Sequence, residues 1–312
     1  MIWKRLLMVV PLLIVVSIGV FALELMLPGD AAVTLAGPQA STTRIAEIRH
    51  NLHLDQPVAT RYLTWAGHAV RGDFGDSLYT RRPVRREIAS RWVVTFSLVA
   101  GAVLLSLAVS IPLALLTGRR EGGRLDRLLS VGSSLGVAVP DFVVGIVLII
   151  VFAIWLRWLP IAGWMSPSTS LTGWFRHLLL PVIALSAPMT AILTRQLRSD
   201  LAETLGEDYL RTAYAKGLPE RTILVKHALR AAAPPTVSIL GVQVARLLGG
   251  VVVVETVFGI PGLGQLTIDS ILNKDLPVIQ GVVPVMVVVA VVANLLADLL
   301  NLVLNPKLAS VG

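Results

Sequence analysis

Five ionisable residues stand inside otherwise apolar runs of this chain: Glu24, Asp141, Arg246, Glu255 and Asp298. A charge in the middle of a hydrocarbon layer costs roughly 3 kcal/mol on insertion scales, so each should face protein or water. Asp141, just after Pro140, and Arg246 lie nearest the middle of their runs. There they either line an aqueous path, with Gln243 about one turn before Arg246, or pair across helices and hold them together. Glu24, Glu255 and Asp298 lie nearer the ends, within reach of the interface, which suits packing or gating. Residues of the kinds that enzymes use are otherwise scattered. No G-x-x-x-x-G-K-[ST] loop occurs, so this chain does not hydrolyse ATP by that route. Pro261-Gly-Leu-Gly264 lacks the strand–turn–helix setting of a nucleotide fingerprint and reads as a turn on the outer face. Among the histidines His50, His53, His68, His177 and His227, only His50 and His53 are spaced i, i+3. No H-E-x-x-H sequence or carboxylate cluster supports them, and no metal site is expected. No serine sits in a nucleophile elbow, and no catalytic residue is expected.

The elements that must position these residues follow from composition. Of 312 residues 55% are hydrophobic and 15% charged, with a mean hydropathy of +0.77; a soluble domain carries roughly 25% charged residues. The apolar residues fall in runs of about the 20 that a bilayer of about 30 Å requires. Six runs, 6–27, 92–116, 128–156, 177–197, 235–258 and 281–304, predict an all-α, polytopic membrane protein with six transmembrane helices and both termini in the cytoplasm. Arg119, Arg120, Arg124 and Arg127 in one short loop and six Lys or Arg in 198–233 mark the cytoplasmic side. Residues 28–91 form a long first extracytoplasmic segment; its nine Arg do not contradict this, because long segments translocate largely regardless of charge. The divisions expected are an N-terminal helix over 1–27, the outer segment 28–91, a core of five helices over 92–304 and a cytoplasmic tail over 305–312. Within the runs Pro112, Pro140, Pro188 and Pro284 read as kinks. The net charge of +8 sits beside the apolar runs, as topology determinants do, and nucleic-acid binding is not expected. The absence of cysteine excludes disulfides and thiolate metal centres.

The cytoplasmic loop 199–233 carries the most pattern. Leu201, Leu205 and Tyr209 recur every four residues, the period of one helix face. Asp200, Glu203, Glu207 and Asp208 come early, where acidic groups suit the helix dipole. Gly217 can end that helix in a left-handed conformation, and Pro219 suits the first turn of the next. Two short helices meeting at a tight 216–219 corner are expected, projecting from the membrane.

The run Glu207-Asp-Tyr-Leu-Arg-Thr-Ala-Tyr-Ala-Lys-Gly-Leu218, followed by Lys226-His-Ala-Leu-Arg230 and Ala233-Pro234, resembles the coupling-loop motif of ABC-importer permeases. Leu54-Asp-Gln-Pro57, Arg71-Gly-Asp-Phe-Gly-Asp-Ser-Leu78 and Arg82-Pro-Val84 resemble the outer segment of the dipeptide/oligopeptide (DppB/OppB-like) branch. Val253-Val-Glu-Thr-Val-Phe258, Pro261-Gly-Leu-Gly264 and Asp275-Leu-Pro-Val-Ile-Gln-Gly281 resemble its C-terminal signature. The general permease motif has Glu-Ala-Ala where Arg211-Thr212-Ala213 stands here, so no glutamate role passes to Arg211.

The resemblance implies a type I ABC-importer permease in a bacterial inner membrane. Its partners would be a second permease, two ABC ATPase subunits or one fused ATPase, an extracytoplasmic solute-binding protein, and membrane lipid. It needs no cofactor of its own; ATP and Mg would bind the ATPases. Glu207, Asp208, Tyr209, Arg211, Thr212, Ala213, Lys216, Gly217, Leu218 and Pro219 would dock on the ATPase. The cargo implied is a di- or oligopeptide, with nickel chelates, haem or sugars as alternatives. A stand-alone secondary transporter would show internal repeats and midplane carboxylates, and would leave the corner unexplained.

Overall fold

The computed structural model describes residues 2–26, 33, 40–51, 55–118, 123, 132–133, 136 and 138–304. Its longer helices are α1 (Ile2–Met26), α2 (Thr42–Asn51), α3 (Val58–Ala69), α4 (Val84–Thr117), α5 (Asp141–Trp155), α6 (Leu171–Leu205), α7 (Asp208–Ala215), α8 (Glu220–Val257), α9 (Leu263–Leu272) and α10 (Leu276–Leu304). No strand forms among the described residues; a single bridge joins Asp76 to Pro83. Four helices, α4, α6, α8 and α10, are long and apolar enough to cross a membrane, and shorter apolar stretches lie at Val10–Ala22 and Asp141–Trp155. Each of the six predicted runs therefore contains helix. The all-α polytopic class stands.

Several boundaries differ from those the apolar runs suggest. Helix α6 has 35 residues, roughly 50 Å at 1.5 Å per residue, so it extends well past a hydrocarbon layer of about 30 Å. Its start is fixed by Ser170, whose hydroxyl accepts a hydrogen bond from the Gly173 N–H at 3.1 Å, an N-cap. Pro140 is no kink: it precedes α5 as its N-cap residue, and the helix begins at Asp141. Pro112, Pro188 and Pro284 do lie inside helices, as do Pro181, Pro234 and Pro235. Leu263 and Gly264 already belong to α9, so only the residues before them turn. Two π-helical stretches, Ile149–Trp155 in α5 and Ile223–Ala228 in α8, have no counterpart in the apolar pattern.

The chain divides into two compact units. One comprises residues 1–2, 94–261 and 289–312. In it α5, α6 and the Leu229–Val257 part of α8 pack on one another. Helix α6 is the centre: 61% of its most apolar window is buried, against 28% in the windows of α4, α8 and α10. Large apolar side chains such as Leu104, Val242, Val253 and Leu296 point outward, the pattern of helices solvated by lipid.

The other unit comprises residues 3–93 and 262–288. Its core joins Val84 and Ile88 of α4 to Leu263 and Leu266 of α9 and Val278 and Val282 of α10. Ahead of α4 the chain doubles back, with Ser77 N–H donating to Arg82 O and Val84 N–H to Gly75 O, each at 2.9 Å. The carboxylate of Asp275, 3% exposed, holds this loop by accepting from the Ser77 hydroxyl, from Leu78 N–H at 3.0 Å and from Tyr79 N–H at 3.4 Å. Helix α3 lies along α1 through a Ser17–Tyr62 hydrogen bond of 2.9 Å and the edge of Phe21 against Tyr62. Glu24 falls in α1, but its side chain is outside the described part of the structure; His53 and Leu54 are outside it altogether.

Candidate functional site

The cytoplasmic corner is built from inside outward. Leu210 of α7 is fully buried, in a cluster with Leu197 and Leu201 of α6, Ile223, Ala228 and Ala232 of α8, and Ala114 of α4. That cluster leaves the other face of α7 free. Glu207, Asp208, Tyr209, Arg211, Thr212, Lys216, Gly217, Leu218 and Pro219 are all exposed, and Ala213 is half-buried. The helix starts with Glu207 as N-cap and Asp208 in its first turn, where negative charge faces the positive end of the dipole. It ends in two hydrogen bonds, Gly217 N–H to Tyr214 O at 3.0 Å and Leu218 N–H to Ala213 O at 3.4 Å. This is the pairing of a Schellman ending, and it needs the left-handed backbone that Gly217 supplies at φ +72°. Pro219 is the N-cap residue of α8, and Glu220 is its first helical residue.

Two expectations for this loop are corrected. Leu201, Leu205 and Tyr209 do not share one helix face, because α6 stops at Gly206 and the extended Glu207 resets the register. Leu210, not Tyr209, is the buried member. Asp200 and Glu203 do not head a helix; they sit in the last turns of α6, where the dipole disfavours them. Asp200 is held there by Gln196 Nε2 at 2.9 Å and by the Thr236 hydroxyl of α8 at 3.3 Å. Partial burial, then the Glu207 carboxylate, push the Tyr209 phenol above the ordinary tyrosine pKa.

The second place is a cavity of about 280 Å³ lined by residues of α5, α6 and α8. Asp141, Gln243 and Arg246 all line it, together with Leu185, Met189, Ile192, Leu247 and Gly250. Asp141 heads α5 and accepts the Phe142 N–H at 2.9 Å. Its carboxylate occupies the space where a Cβ at Gly250 would stand, so the glycine permits the close approach of α5 to α8. The small size of Gly250 is the sequence signal for such a close approach.

Glu255 does not reach an interface. It is fully buried in α8 and accepts the Thr95 hydroxyl of α4 at 2.6 Å. The turn after α8 explains this: Ile260 N–H bonds back to Glu255 O at 2.8 Å, and Phe258 O accepts from Gly163 N–H at 2.9 Å, so the helix end is covered by protein. Asp298 is half-buried in α10. Among the described residues no group of three or more His, Asp or Glu is placed to hold a metal ion.

Residues 110–310 match the family described as binding-protein-dependent transport system inner membrane component, and residues 1–99 match the corresponding N-terminal family. The chain is 39% identical over 305 residues to the probable peptide ABC transporter permease protein y4tP of Sinorhizobium fredii, covering 98% of this chain and 97% of that protein. It is 40% identical over 309 residues to the glutathione transport system permease protein GsiC of Escherichia coli K12, with 98% and 97% covered. Among solved structures, a chain of the MetNI methionine ABC transporter in an inward-facing conformation superposes with a TM-score of 0.57 at 15% identity, covering 70% of this chain and 96% of that one. That likeness concerns the fold.

Proposed function

This chain belongs to the binding-protein-dependent transport system inner membrane components, and from that premise we propose that it carries di- or oligopeptides as one of two permeases in an ATP-driven importer. An ABC-importer permease of the inner membrane is what its relatives are. The peptide cargo is supported by the relative named for peptides and by those named for glutathione, itself a tripeptide with one unusual linkage. An extracytoplasmic binding protein delivers the peptide. Two ATPase subunits, or one fused ATPase, bind ATP and Mg and supply the drive.

The observation that carries the mechanism is the rigid, outward-facing corner over a buried Leu210. A partner that grips Tyr209, Arg211, Thr212, Lys216, Leu218 and Pro219 moves α7 as a body, since Leu210 ties α7 to α6 and α8. The displacement then reaches the membrane through helices that continue into it without a break at the cytoplasmic boundary. Asp141, Gln243 and Arg246 line the path, and Glu255 and Asp298 serve packing or gating.

The test is a pull-down of the tagged chain from its native membrane in mild detergent, followed by an ATPase assay with and without peptide-loaded binding protein. Recovery of a second permease, of P-loop ATPases and of peptide-stimulated hydrolysis is expected. Recovery of the chain alone, with substrate flux after reconstitution, would overturn the reading. Uptake of labelled dipeptide against labelled glutathione, in the same membranes, separates the two cargoes.

A further inference from the structure

One acid and one base face the same cavity, and the path reading does not say what they meet. Gln243, Arg246 and Gly250 follow at spacings of three and four along α8, the spacing of one helix face. Asp141 comes to that face from the head of α5, seated against Gly250. The rest of the lining, including Leu185, Met189, Ile192 and Leu247, is apolar. A charged group entering such a lining sheds water and needs a counter-charge. An acid and a base in one cavity supply that counter-charge for either sign.

A peptide path must tolerate any side chain, so it can recognise only what peptides share: a free ammonium, a free carboxylate and backbone amides. We propose that this cavity reads the ends of the passing peptide, with Arg246 receiving the terminal carboxylate, Asp141 the terminal ammonium and Gln243 a backbone amide. The inference rests on the path reading above and adds the chemistry recognised there. A planar guanidinium matches a carboxylate in two parallel hydrogen bonds. The volume of about 280 Å³ lies just below that of ligand cavities, roughly 300–1,000 Å³, and suits one chain end at a time.

The test uses the complete importer with its binding protein at saturation. Uptake of a free-ended peptide is compared with its N-acetylated and C-amidated forms, in the wild type and in Asp141→Asn and Arg246→Gln. The binding protein is common to every arm, so its own preference cancels in the ratio of ratios. Competition against a photoreactive peptide on the assembled permease without binding protein gives a second reading independent of delivery. Asp141→Asn should shrink the discrimination against N-acetylation by about tenfold while leaving that against C-amidation. Arg246→Gln should do the reverse, and Arg246→Lys should restore it in part. An equal loss for free and blocked peptides overturns recognition of the ends while leaving the path reading. Full transport by both variants overturns the path reading as well.

Discussion

Ser77 and Asp275 lie 198 positions apart and are joined by a hydrogen bond of 2.5 Å, the hydroxyl donating to the carboxylate. Each belongs to a different stretch that resembles the peptide branch, one before α4 and one at the start of α10. Their contact ties the two stretches together: the buried Asp275 carboxylate accepts three hydrogen bonds from the doubled-back loop. Replacing Asp275 by Ala strands the Ser77 hydroxyl and the Leu78 and Tyr79 N–H groups, at a cost of about 2–4 kcal/mol. Thermal unfolding of the purified protein in detergent should show a clear drop in Tm for Asp275→Ala and a smaller one for Asp275→Asn. An unchanged Tm for the alanine variant would remove the structural role given to this tie.

Beyond its own chain neighbours Gly217 has no atom within 4 Å of where its Cβ would stand, yet its φ is +72°. Substitution is therefore opposed by backbone conformation and not by crowding. Gly217→Val should insert and fold, lose about 1–2 kcal/mol at the corner, and separate ATP hydrolysis from uptake. Gly217→Asn, which enters the left-handed region more readily, should keep most of the transport. Equal transport by the valine variant and the wild type would dismiss the corner as the coupling element.

Leu210 tests the same element from beneath. Leu210→Ala opens a cavity among Leu201, Ile223 and Ala228, costing about 2–5 kcal/mol, and touches none of the exposed residues. Peptide-stimulated ATPase should fall while the binding of ATPase to permease, measured by co-purification, weakens only modestly. Loss of both in parallel would mean that Leu210 holds the docking face together instead of transmitting its movement.

Glu255 is a buried acid that accepts a hydrogen bond from a different helix, from Thr95 of α4. Glu255→Gln keeps an oxygen for that hydroxyl and should lie within about 1 kcal/mol of the wild type in unfolding. Glu255→Ala removes the acceptor and leaves a void, for a loss of about 2–4 kcal/mol. A gating role would appear as reduced uptake in Glu255→Gln with stability unchanged.

Much of the fold was legible because the bilayer imposes a simple rule on length and hydropathy, and helix occurs in each of the six apolar runs. The Gly217 ending was legible too, since few residues other than glycine accept that backbone. The break at Gly206 was not. A four-residue repeat through Leu201, Leu205 and Tyr209 looks continuous in sequence, and only the extended Glu207 shifts the phase and sends Leu210 inward. The burial of Glu255 was equally hidden, because distance from a span's end says nothing about the turn that folds over it. Asp200 was misplaced for the same reason: its partners, Gln196 and Thr236, are set by helix packing.

The π-helical stretch Ile223–Ala228 stands between the corner and the membrane part of α8. Its hydrogen bonds span one residue more than those of an α-helix, as in the Leu229 N–H bonded back to Leu224 O. The two ends of this one rod are thus out of phase with a plain α-helix. Ile223 packs in the core beneath α7, while Gln243, Arg246 and Gly250 line the cavity beside Asp141. The stretch works as a vernier, setting the angular offset between the corner end of α8 and the end that lines the cavity beside Asp141.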